Sequence, residues 1–436
     1  MDDNHGMYER RVLKRLRAAL GDSPVVLLHG ARQVGKTTLV RDLLGGGGRR
    51  YITLDGSAAL AAATGDPDGF IAGLEGPVAI DEVQRAPELF RAIKASVDRD
   101  RRPGRFLLTG SANVLALPRL SESLAGRVDI TPLWPLSQSE IEGVEGSFID
   151  RVFERSMGSV DEKRVPRRAI FDRVARGGFP EALSRKDVER RGAWFDAYVT
   201  TILQRDVRDL ANIEDLASLP VLLRLLATRT SGLLNYADLS RSVGLAQTTL
   251  KRYFAALEAT FMVHLVRPWA TNLGTRLVKS PKVHLIDTGL AAYLVGQPDL
   301  PDGSAMLGAM LESFVVTEML KQSGWSKTRV EVFHFRTQTG REVDIVLEDR
   351  KGRLVGIEVK SSASVDGSDF AGLRTLAENG AGSVCARSCC THGGGGGAGA
   401  GGARPARGRG GGGGRGAAPP PPRQILTKKE PRSIVR

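Results

Sequence analysis

The chain has very little cysteine. Its three cysteines, Cys385, Cys389 and Cys390, lie close together near the C-terminal end, so residues 1–380 contain none. This distribution excludes a disulfide framework for most of the chain and favours a reducing compartment. His392 follows the cysteines, but their spacing matches no ordinary zinc site, and a chance cluster is the better interpretation.

Long apolar runs are also missing. No stretch approaches the roughly 20 apolar residues of a membrane-spanning helix, and residues 1–16 lack the apolar core of a secretory signal. Hydrophobic residues make up 41% of the chain and charged residues 25%, as in soluble globular proteins. The length of 436 residues predicts two to four domains. We therefore expect a cytoplasmic protein with no membrane partner.

Acidic residues are scarce at one end only. Residues 381–436 contain ten Lys and Arg but a single acid, Glu430, and so account for nine of the thirteen net positive charges. This segment is rich in Gly, Ala, Arg and Pro and has no hydrophobic periodicity, which predicts a disordered tail. The rest of the chain is only mildly basic, so the overall charge does not indicate what it binds.

Short apolar runs alternate with helical stretches in the first third of the chain. The runs are VVLLH (25–29), YITLD (51–55), PVAID (77–81), RFLLTG (105–110) and VDITPLW (128–134). This alternation predicts an α/β fold with a parallel, doubly wound sheet. Residues 217–270 have the pattern helix, Gly244 turn, helix and strand, which is typical of a winged helix. Residues 276–380 return to mixed α/β.

A phosphate-binding motif follows the first apolar run. The sequence GARQVGKT matches G-x-x-x-x-G-K-[ST] and stands between a predicted strand and a predicted helix. Backbone N–H groups of such a loop bind phosphate, Lys36 reaches the β- and γ-phosphates, and Thr37 ligates Mg²⁺. The alternative is an ordinary glycine turn. The predicted ATP-binding residues are Gly30, Ala31, Arg32, Gln33, Val34, Gly35, Lys36, Thr37 and Thr38.

Two acids end the run PVAID. Asp81 and Glu82 fit the Walker B pattern, in which Asp81 holds Mg²⁺ with Thr37 and Glu82 polarises the attacking water. Acids at strand ends are often merely solvated, but here they follow a phosphate-binding loop. The sequence therefore predicts an ATP site that uses Mg²⁺.

Three further residues are candidates for the same site. Thr109 and Ser111 end the run RFLLTGS, where a polar sensor of the γ-phosphate belongs, although an ordinary turn is an equal alternative. Arg127 is a candidate arginine finger, against the simpler interpretation of a solvated surface arginine. With Lys36 and Glu82, these three residues complete the predicted catalytic set.

Nine stretches between residues 7 and 380 together resemble a known family. They are VVLLHGARQVGKTTL, VAIDEVQRAPELFRAIKASVD, LLTGSAN, SLAGRV, GGFPEAL, QRDVRDL, KVHLIDTGL, MLESFVVTEM and REVDIVLE…GIEVKSS. On these residues the chain resembles a large prokaryotic family of AAA+-type ATPases with a C-terminal domain of unknown function. The resemblance implies a sheet with the sensor strand between the P-loop and Walker B strands. It also implies a winged helix and then a domain like the restriction endonucleases.

A possible second site lies in that last domain. A hairpin centred near residues 350–351 would place Asp344 opposite Ile357 or Glu358, with Lys360 on the same face as Glu358. This D…E-x-K arrangement resembles the metal-dependent site of restriction endonucleases, with Glu312 on the preceding helix as a further ligand. From spacing alone, a solvated hairpin face is the preferred interpretation.

Motifs and resemblance together predict five segments. They are a P-loop ATPase domain (1–136), a helical lid or linker (137–215), a winged helix (216–275), a restriction-endonuclease-like domain (276–380) and a disordered low-complexity tail (381–436). Relatives seem to continue after GLRTLAE with a strand and a helix that this chain replaces. One hypothesis is a shifted reading frame.

Three functions follow from these features. The first is an ATP-hydrolysing switch that acts on nucleic acid, and Glu82 favours it. The second is a nucleotide-dependent regulatory protein with little turnover, and the third is an ATP-regulated nuclease. DNA or a protein partner would contact the winged helix through Gln247, Thr248, Thr249, Lys251 and Arg252.

Overall fold

The computed structural model describes the chain in ten stretches. These are residues 8–44, 48–111, 126–154, 165–208, 217–272, 280–297, 300, 305–361, 367–379 and 384–390.

Eleven strands within these stretches form two sheets. They are β1 (Val25–His29), β2 (Arg50–Thr53), β3 (Val78–Asp81), β4 (Phe106–Gly110), β5 (Val128–Pro132), β6 (Val263–Pro268), β7 (Lys282–Leu285), β8 (Val330–Arg336), β9 (Glu342–Asp349), β10 (Leu354–Lys360) and β11 (Val384–Cys390).

The α-helices of the described residues surround these sheets. They are α1 (Leu13–Asp22), α2 (Lys36–Leu44), α3 (Ser57–Gly65), α4 (Pro67–Ala72), α5 (Leu89–Arg99), α6 (Gln138–Ile141), α7 (Phe148–Phe153), α8 (Arg167–Arg176), α9 (Pro180–Leu183), α10 (Val188–Thr201), α11 (Ser218–Thr228), α12 (Tyr236–Val243), α13 (Gln247–Ala259), α14 (Thr288–Leu294), α15 (Ala305–Ser323) and α16 (Ala371–Asn379). A π-helical turn, Ile202–Val207, continues α10, and 3-10 turns cover Val83–Arg85 and Gly367–Phe370. In this part of the chain, no helix combines the length and apolarity needed to cross a membrane.

The first sheet is parallel, as the strand–helix alternation predicts. Its strand order is β2-β3-β4-β1-β5, so β4 lies between β1 and β3 as the family resemblance implies. Side chains of β1 alternate between two cores. Val25 and Leu27 pack with Ile93 on one face, whereas Val26 and Leu28 pack with helices of the middle segment on the other. Burial on both faces fixes the register of β1, because a one-residue slip would exchange the two sets.

The helix-turn-helix outline is present, but its strands belong to a larger sheet. Helix α12 ends at Gly244, which adopts φ +74, and α13 follows. Strand β6 then pairs antiparallel with β7 and parallel with β8, inside a six-stranded sheet of order β11-β10-β9-β8-β6-β7. The predicted boundary near residue 275 therefore does not separate two sheets. An alternating pattern indicates a strand, but it does not identify the neighbouring strand.

Two helices cover the faces of the second sheet. Val316 and Met319 of α15 pack against Ile345 on one face. Leu373 of α16 packs against Phe333 on the other face. The mixed α/β arrangement predicted for this half is thus a sheet between two helical layers.

The first part of the predicted tail pairs with the second sheet. Residues 384–390 form β11, which pairs parallel with β10 from Leu354↔Val384 to Lys360↔Cys390. This strand lies within the segment whose composition predicts disorder. Backbone hydrogen bonds to an open sheet edge do not require hydrophobic periodicity. The rest of the predicted tail lies outside the described residues.

Two of the family-like stretches, GGFPEAL and KVHLIDTGL, meet at one buried carboxylate. Asp287 caps α14 by accepting a hydrogen bond from the N–H of Leu290 at 3.1 Å, and it accepts a second from Gly178 at 2.6 Å. Gly177 has φ +68, and a Cβ atom there would lie 2.0 Å from Asp287 Oδ1. Asp287 thus joins the middle helices to the second half of the chain.

We expect Asp287→Ala to lower the free energy of unfolding by about 2–4 kcal/mol, because a helix cap and a charge-assisted hydrogen bond are lost together. Denaturant unfolding would measure the loss. Asp187→Ala is the matched control, since Asp187 caps α10 through Arg190 alone and is exposed. Equal losses in the two variants would contradict this role for Asp287.

Candidate functional site

The loop between β1 and α2 has the backbone that the phosphate-binding motif requires. Gly30 has φ +159, and a Cβ atom at this position would lie 2.0 Å from the carbonyl oxygen of Leu133. Gly35 has φ +94, in the region that favours glycine, and Gln33 has φ +61. The loop therefore packs directly on the segment after β5, and larger residues at Gly30 would displace it.

Lys36 lies inside this loop. Its ammonium group donates to the carbonyl oxygens of Gly30 at 2.9 Å and Ala31 at 2.8 Å. Burial lowers the pKa of Lys36 to about 8, against the opposing influence of Glu82 and Asp81. The side chain is thus still mainly a cation at neutral pH, and the loop holds it where phosphate groups would bind.

Asp81 is held by three different elements. Its carboxylate accepts hydrogen bonds from Thr37 at 3.0 Å, from Tyr51 at 2.6 Å and from Thr109. These partners belong to α2, β2 and β4, and Asp81 is only 4% exposed. The predicted pair of Asp81 and Thr37 is therefore assembled, with two oxygen groups side by side.

Glu82 has different partners from Asp81. Its carboxylate accepts a hydrogen bond from Ser111 at 2.8 Å and another from Gln84, while its backbone N–H donates to Thr109 at 3.1 Å. Glu82 adopts φ +60 and ψ +43, a left-handed conformation that is costly for a residue with a side chain and is often found at functional sites. Thr109 thus contacts both acids, whereas Ser111 contacts Glu82.

Some neighbours of these acids were not predicted from the sequence. Tyr51 lies within the predicted strand YITLD, and Gln84 lies just after Glu82. Neither residue belongs to a motif that would indicate a role in an ATP site. Arg32, in the loop, donates to Asp206 at 2.5 Å. Asp206 belongs to the stretch QRDVRDL, and its sequence separation from the loop hides the contact.

The structure does not bring Arg127 to this loop, and its role as an arginine finger stays a prediction. Val128, the next residue, pairs with Val25 at the start of β1, whereas the loop follows the end of β1. The two ends are about 13 Å apart at the rise of a strand. Arg127 instead forms an ion pair with Asp98 at 2.6 Å.

The second predicted site is a buried cluster of charges. Strands β9 and β10 pair through Ile345↔Ile357, which puts Asp344 opposite Glu358, one of the two alternatives predicted. The carboxylate of Asp344 accepts a hydrogen bond from the N–H of Val359 at 2.8 Å. Burial and the neighbouring Asp344 carboxylate raise the pKa of Glu358 to about 9.

A lysine that the sequence did not reveal lies among these acids. Lys282, at the start of β7, is only 3% exposed. Its ammonium group contacts Glu312 at 2.7 Å, pairs with Glu342 and lies 3.9 Å from Asp344. Burial alone would lower the pKa of Lys282, but these carboxylates raise it. Lys282 therefore compensates part of the negative charge of these acids.

Lys360 and Arg336 extend this cluster of charges on two sides. Lys360 lies 3.8 Å from Glu358 and 3.5 Å from Asp369. On the other side, His334 and Arg336 line a cavity of about 200 Å³. In the stretches that the structure describes, no group of three or more His, Cys, Asp or Glu side chains is spaced to hold a metal ion.

Three family models match successive parts of this chain. Residues 22–142 match an AAA domain, residues 167–300 a domain of unknown function (DUF8612) and residues 307–394 a second domain of unknown function (DUF4143). Uncharacterized proteins of Mycobacterium tuberculosis and Mycobacterium bovis are each 36% identical over 362 residues, which is 82% of this chain and 75% of each relative.

Solved structures show more distant similarity. The Walker-type ATPase PABY2304 of Pyrococcus abyssi is 15% identical with a TM-score of 0.41, and the match covers 66% of this chain and 96% of that protein. The Thermotoga maritima RuvB Holliday junction branch migration motor is 20% identical with a TM-score of 0.28, and the match covers 58% of this chain and 88% of that protein.

The raised pKa of Glu358 predicts a pH-dependent stability. Above pH 4.5 the unfolded chain releases this proton while the folded chain keeps it, so the unfolding free energy falls as pH rises toward the folded pKa. Glu358→Gln is neutral at every pH, and its Tm relative to that of the wild type should therefore rise by roughly 2–4 °C between pH 5 and pH 8. Thermal unfolding at both values would measure this. Glu331→Gln, at an exposed position on β8, should show no such rise, and a constant difference for Glu358→Gln would contradict the assignment.

Proposed function

We propose that this chain, which belongs to the family of AAA-type P-loop ATPases with the C-terminal domain DUF4143, binds ATP with Mg²⁺ and hydrolyses it. One observation carries the proposal. Asp81 and Glu82 are adjacent in sequence, yet the first is fixed by Thr37, Tyr51 and Thr109 and the second by Ser111 and Gln84. Two acids held in different surroundings can take different roles.

Thr37 and Asp81 suit a magnesium site. Mg²⁺ prefers oxygen ligands and is usually held by one or two protein groups together with substrate phosphates. The hydroxyl of Thr37 and the carboxylate of Asp81 lie 3.0 Å apart at the start of α2. When bound, Mg²⁺ supplies charge neutralisation at the phosphate oxygens.

Lys36 suits the binding of the phosphates, and Glu82 suits the activation of the attacking water. Lys36 is a buried cation in the loop, so it neutralises negative charge on the β- and γ-phosphates. Glu82 accepts hydrogen bonds from Ser111 and Gln84, which fix its orientation, and acts as the base that polarises the attacking water. Thr109, which touches both acids, holds the two strand ends in register.

In this proposal the ATPase is a cytoplasmic nucleotide switch. The loop contacts the middle helices through Arg32 and Asp206. Hydrolysis of the bound ATP would therefore alter a contact with the second half of the chain. Gln247, Thr248, Lys251 and Arg252 are exposed on α13, where they are available to DNA or a protein partner. A regulatory protein with little turnover is the alternative from another class, and it would not need Glu82 as a base.

Lys36→Ala and Glu82→Gln should separate ATP binding from ATP hydrolysis. Lys36→Ala loses the cation and should weaken ATP binding at least a hundredfold, whereas Glu82→Gln should bind ATP but lose turnover by about 10²–10³-fold. Fluorescent-nucleotide titration and phosphate release would measure the two effects. Glu88→Gln, a nearby acid outside the site, is the control. Wild-type turnover in Glu82→Gln would refute the catalytic role of Glu82.

A second candidate function is metal-dependent cleavage of nucleic acid. The observation that favours it is that Asp344 and Glu312 both lie near Lys282, while Lys360 lies 3.8 Å from Glu358, the residue opposite Asp344. Lys282 competes with a metal ion for these carboxylates, so we expect cleavage to need the metal to displace its ammonium group. The D…E-x-K pattern supports the reaction class.

Incubation with single- and double-stranded DNA and RNA, with Mg²⁺ or Mn²⁺ and with or without ATP, would test this candidate. We expect metal-dependent cleavage that Asp344→Ala and Lys360→Ala each abolish, because one removes a ligand and the other a cation. Glu331→Ala on β8 and Lys351→Ala in the turn between β9 and β10 are exposed controls. Cleavage that survives in Asp344→Ala, or its absence under every condition, would refute this function and leave the ATPase proposal intact.

A further inference from the structure

An ion pair joins the phosphate-binding loop to the middle helices. Arg32, the third residue of the motif, donates from Nε to Asp206 at 2.5 Å, and the two side chains are only 20% and 15% exposed. Asp206 lies in the π-helical turn Ile202–Val207, and π-turns inside helices are frequent at functional sites. The pair therefore connects a loop that binds phosphate to an unusual turn of a helix.

The pair also lies within the charge field of the ATP site. Arg32 is attracted by Glu82 and Asp55 as well as by Asp206. Asp206 in turn favours the charged form of Lys36. Asp206 therefore stabilises the charged form of Lys36, which faces the phosphates in the proposed function. Arg32 in turn attracts Glu82, which faces the attacking water in that function.

We propose that Arg32 contacts the γ-phosphate of ATP and exchanges this contact for Asp206 in the ADP-bound site, so that the pair distinguishes ATP from ADP. This inference depends on the proposed ATPase function. A guanidinium group has five N–H donors in a planar fork, and it forms bidentate hydrogen bonds with either a phosphate or a carboxylate. The γ-phosphate and Asp206 carry charges of the same sign, so each weakens the hold of the other on Arg32.

In the reaction itself Arg32 supplies only charge. The oxygen of water forms a bond to the γ-phosphorus, the bond to the bridging oxygen of ADP breaks, and the proton of the water goes to Glu82. Negative charge develops on the phosphate oxygens, and a guanidinium group placed there stabilises it. Arg32 thus takes the role that the sequence suggested for Arg127.

The exchange would also affect the packing of the middle helices. Ile202, Leu203 and Val207 flank Asp206 and are buried in the core that contains α11 and α13. A change in the partner of Asp206 therefore acts on a packed turn rather than on an exposed loop. This gives the ATP-bound and ADP-bound forms a physical difference outside the nucleotide site.

Binding of two nucleotides to matched variants tests the inference. We would measure Kd for ATPγS and for ADP with the full-length wild type, Arg32→Ala, Asp206→Asn and the control Asp196→Asn, which alters an acid on α10 that pairs with Tyr293. Arg32→Ala should weaken ATPγS by about tenfold and ADP by less than twofold. Asp206→Asn should tighten ATPγS by roughly five- to tenfold, the scale of one charge-assisted hydrogen bond, and leave ADP nearly unchanged.

The outcomes separate this inference from the ATPase proposal. Loss of binding for both nucleotides in Lys36→Ala, together with equal shifts of ATPγS and ADP in the Arg32 and Asp206 variants, would overturn the inference and keep the ATPase. A selective shift in only one of the two variants would also overturn it, because the exchange needs both partners. Arg32→Lys, which keeps the charge but not the fork, should recover part of the ATPγS affinity. Thermal unfolding would confirm that each variant is folded.

Discussion

The nucleotide site depends on the hydrogen bonds that the carboxylate of Asp81 accepts. A buried carboxylate is costly unless its oxygens are hydrogen-bonded. Here the partners come from α2, β2 and β4, so three elements must keep fixed positions around the end of β3. The same hydrogen bonds place the start of α2, and with it Lys36, beside the acids. The geometry of the site thus follows from satisfying one buried charge.

The chain has two clusters of acidic side chains, and they are stabilised in different ways. In the first sheet, Asp81 and Glu82 are held by hydroxyl and amide groups, which fix the carboxylates without cancelling their charge. In the second sheet, the ammonium group of Lys282 compensates part of the negative charge, and burial raises the pKa of Glu358. The first arrangement leaves charge available for a cation and a polarised water. The second is already partly compensated, so a metal ion must compete for it.

Local patterns predicted most of the strands and the core of the nucleotide site. The runs at β1, β8 and β10 match the observed strands, and Lys36, Thr37, Asp81, Glu82, Thr109 and Ser111 come together as their motifs indicate. Contacts between distant segments were not predictable, because Asp206 and Lys282 carry no local signal of their partners. Arg127 lies away from the loop for a simple reason. In a parallel sheet, a residue just before a strand lies at the edge opposite the loops that follow the strands.

Mg²⁺-dependent turnover tests the central claim most directly. Phosphate release from ATP would be followed with the wild-type protein in Mg²⁺ and again after the metal is chelated, with ATP binding measured in parallel. The account predicts steady release in Mg²⁺ that stops on chelation. Tight ATP binding with no phosphate release in Mg²⁺ would contradict it and indicate a nucleotide-binding regulator instead.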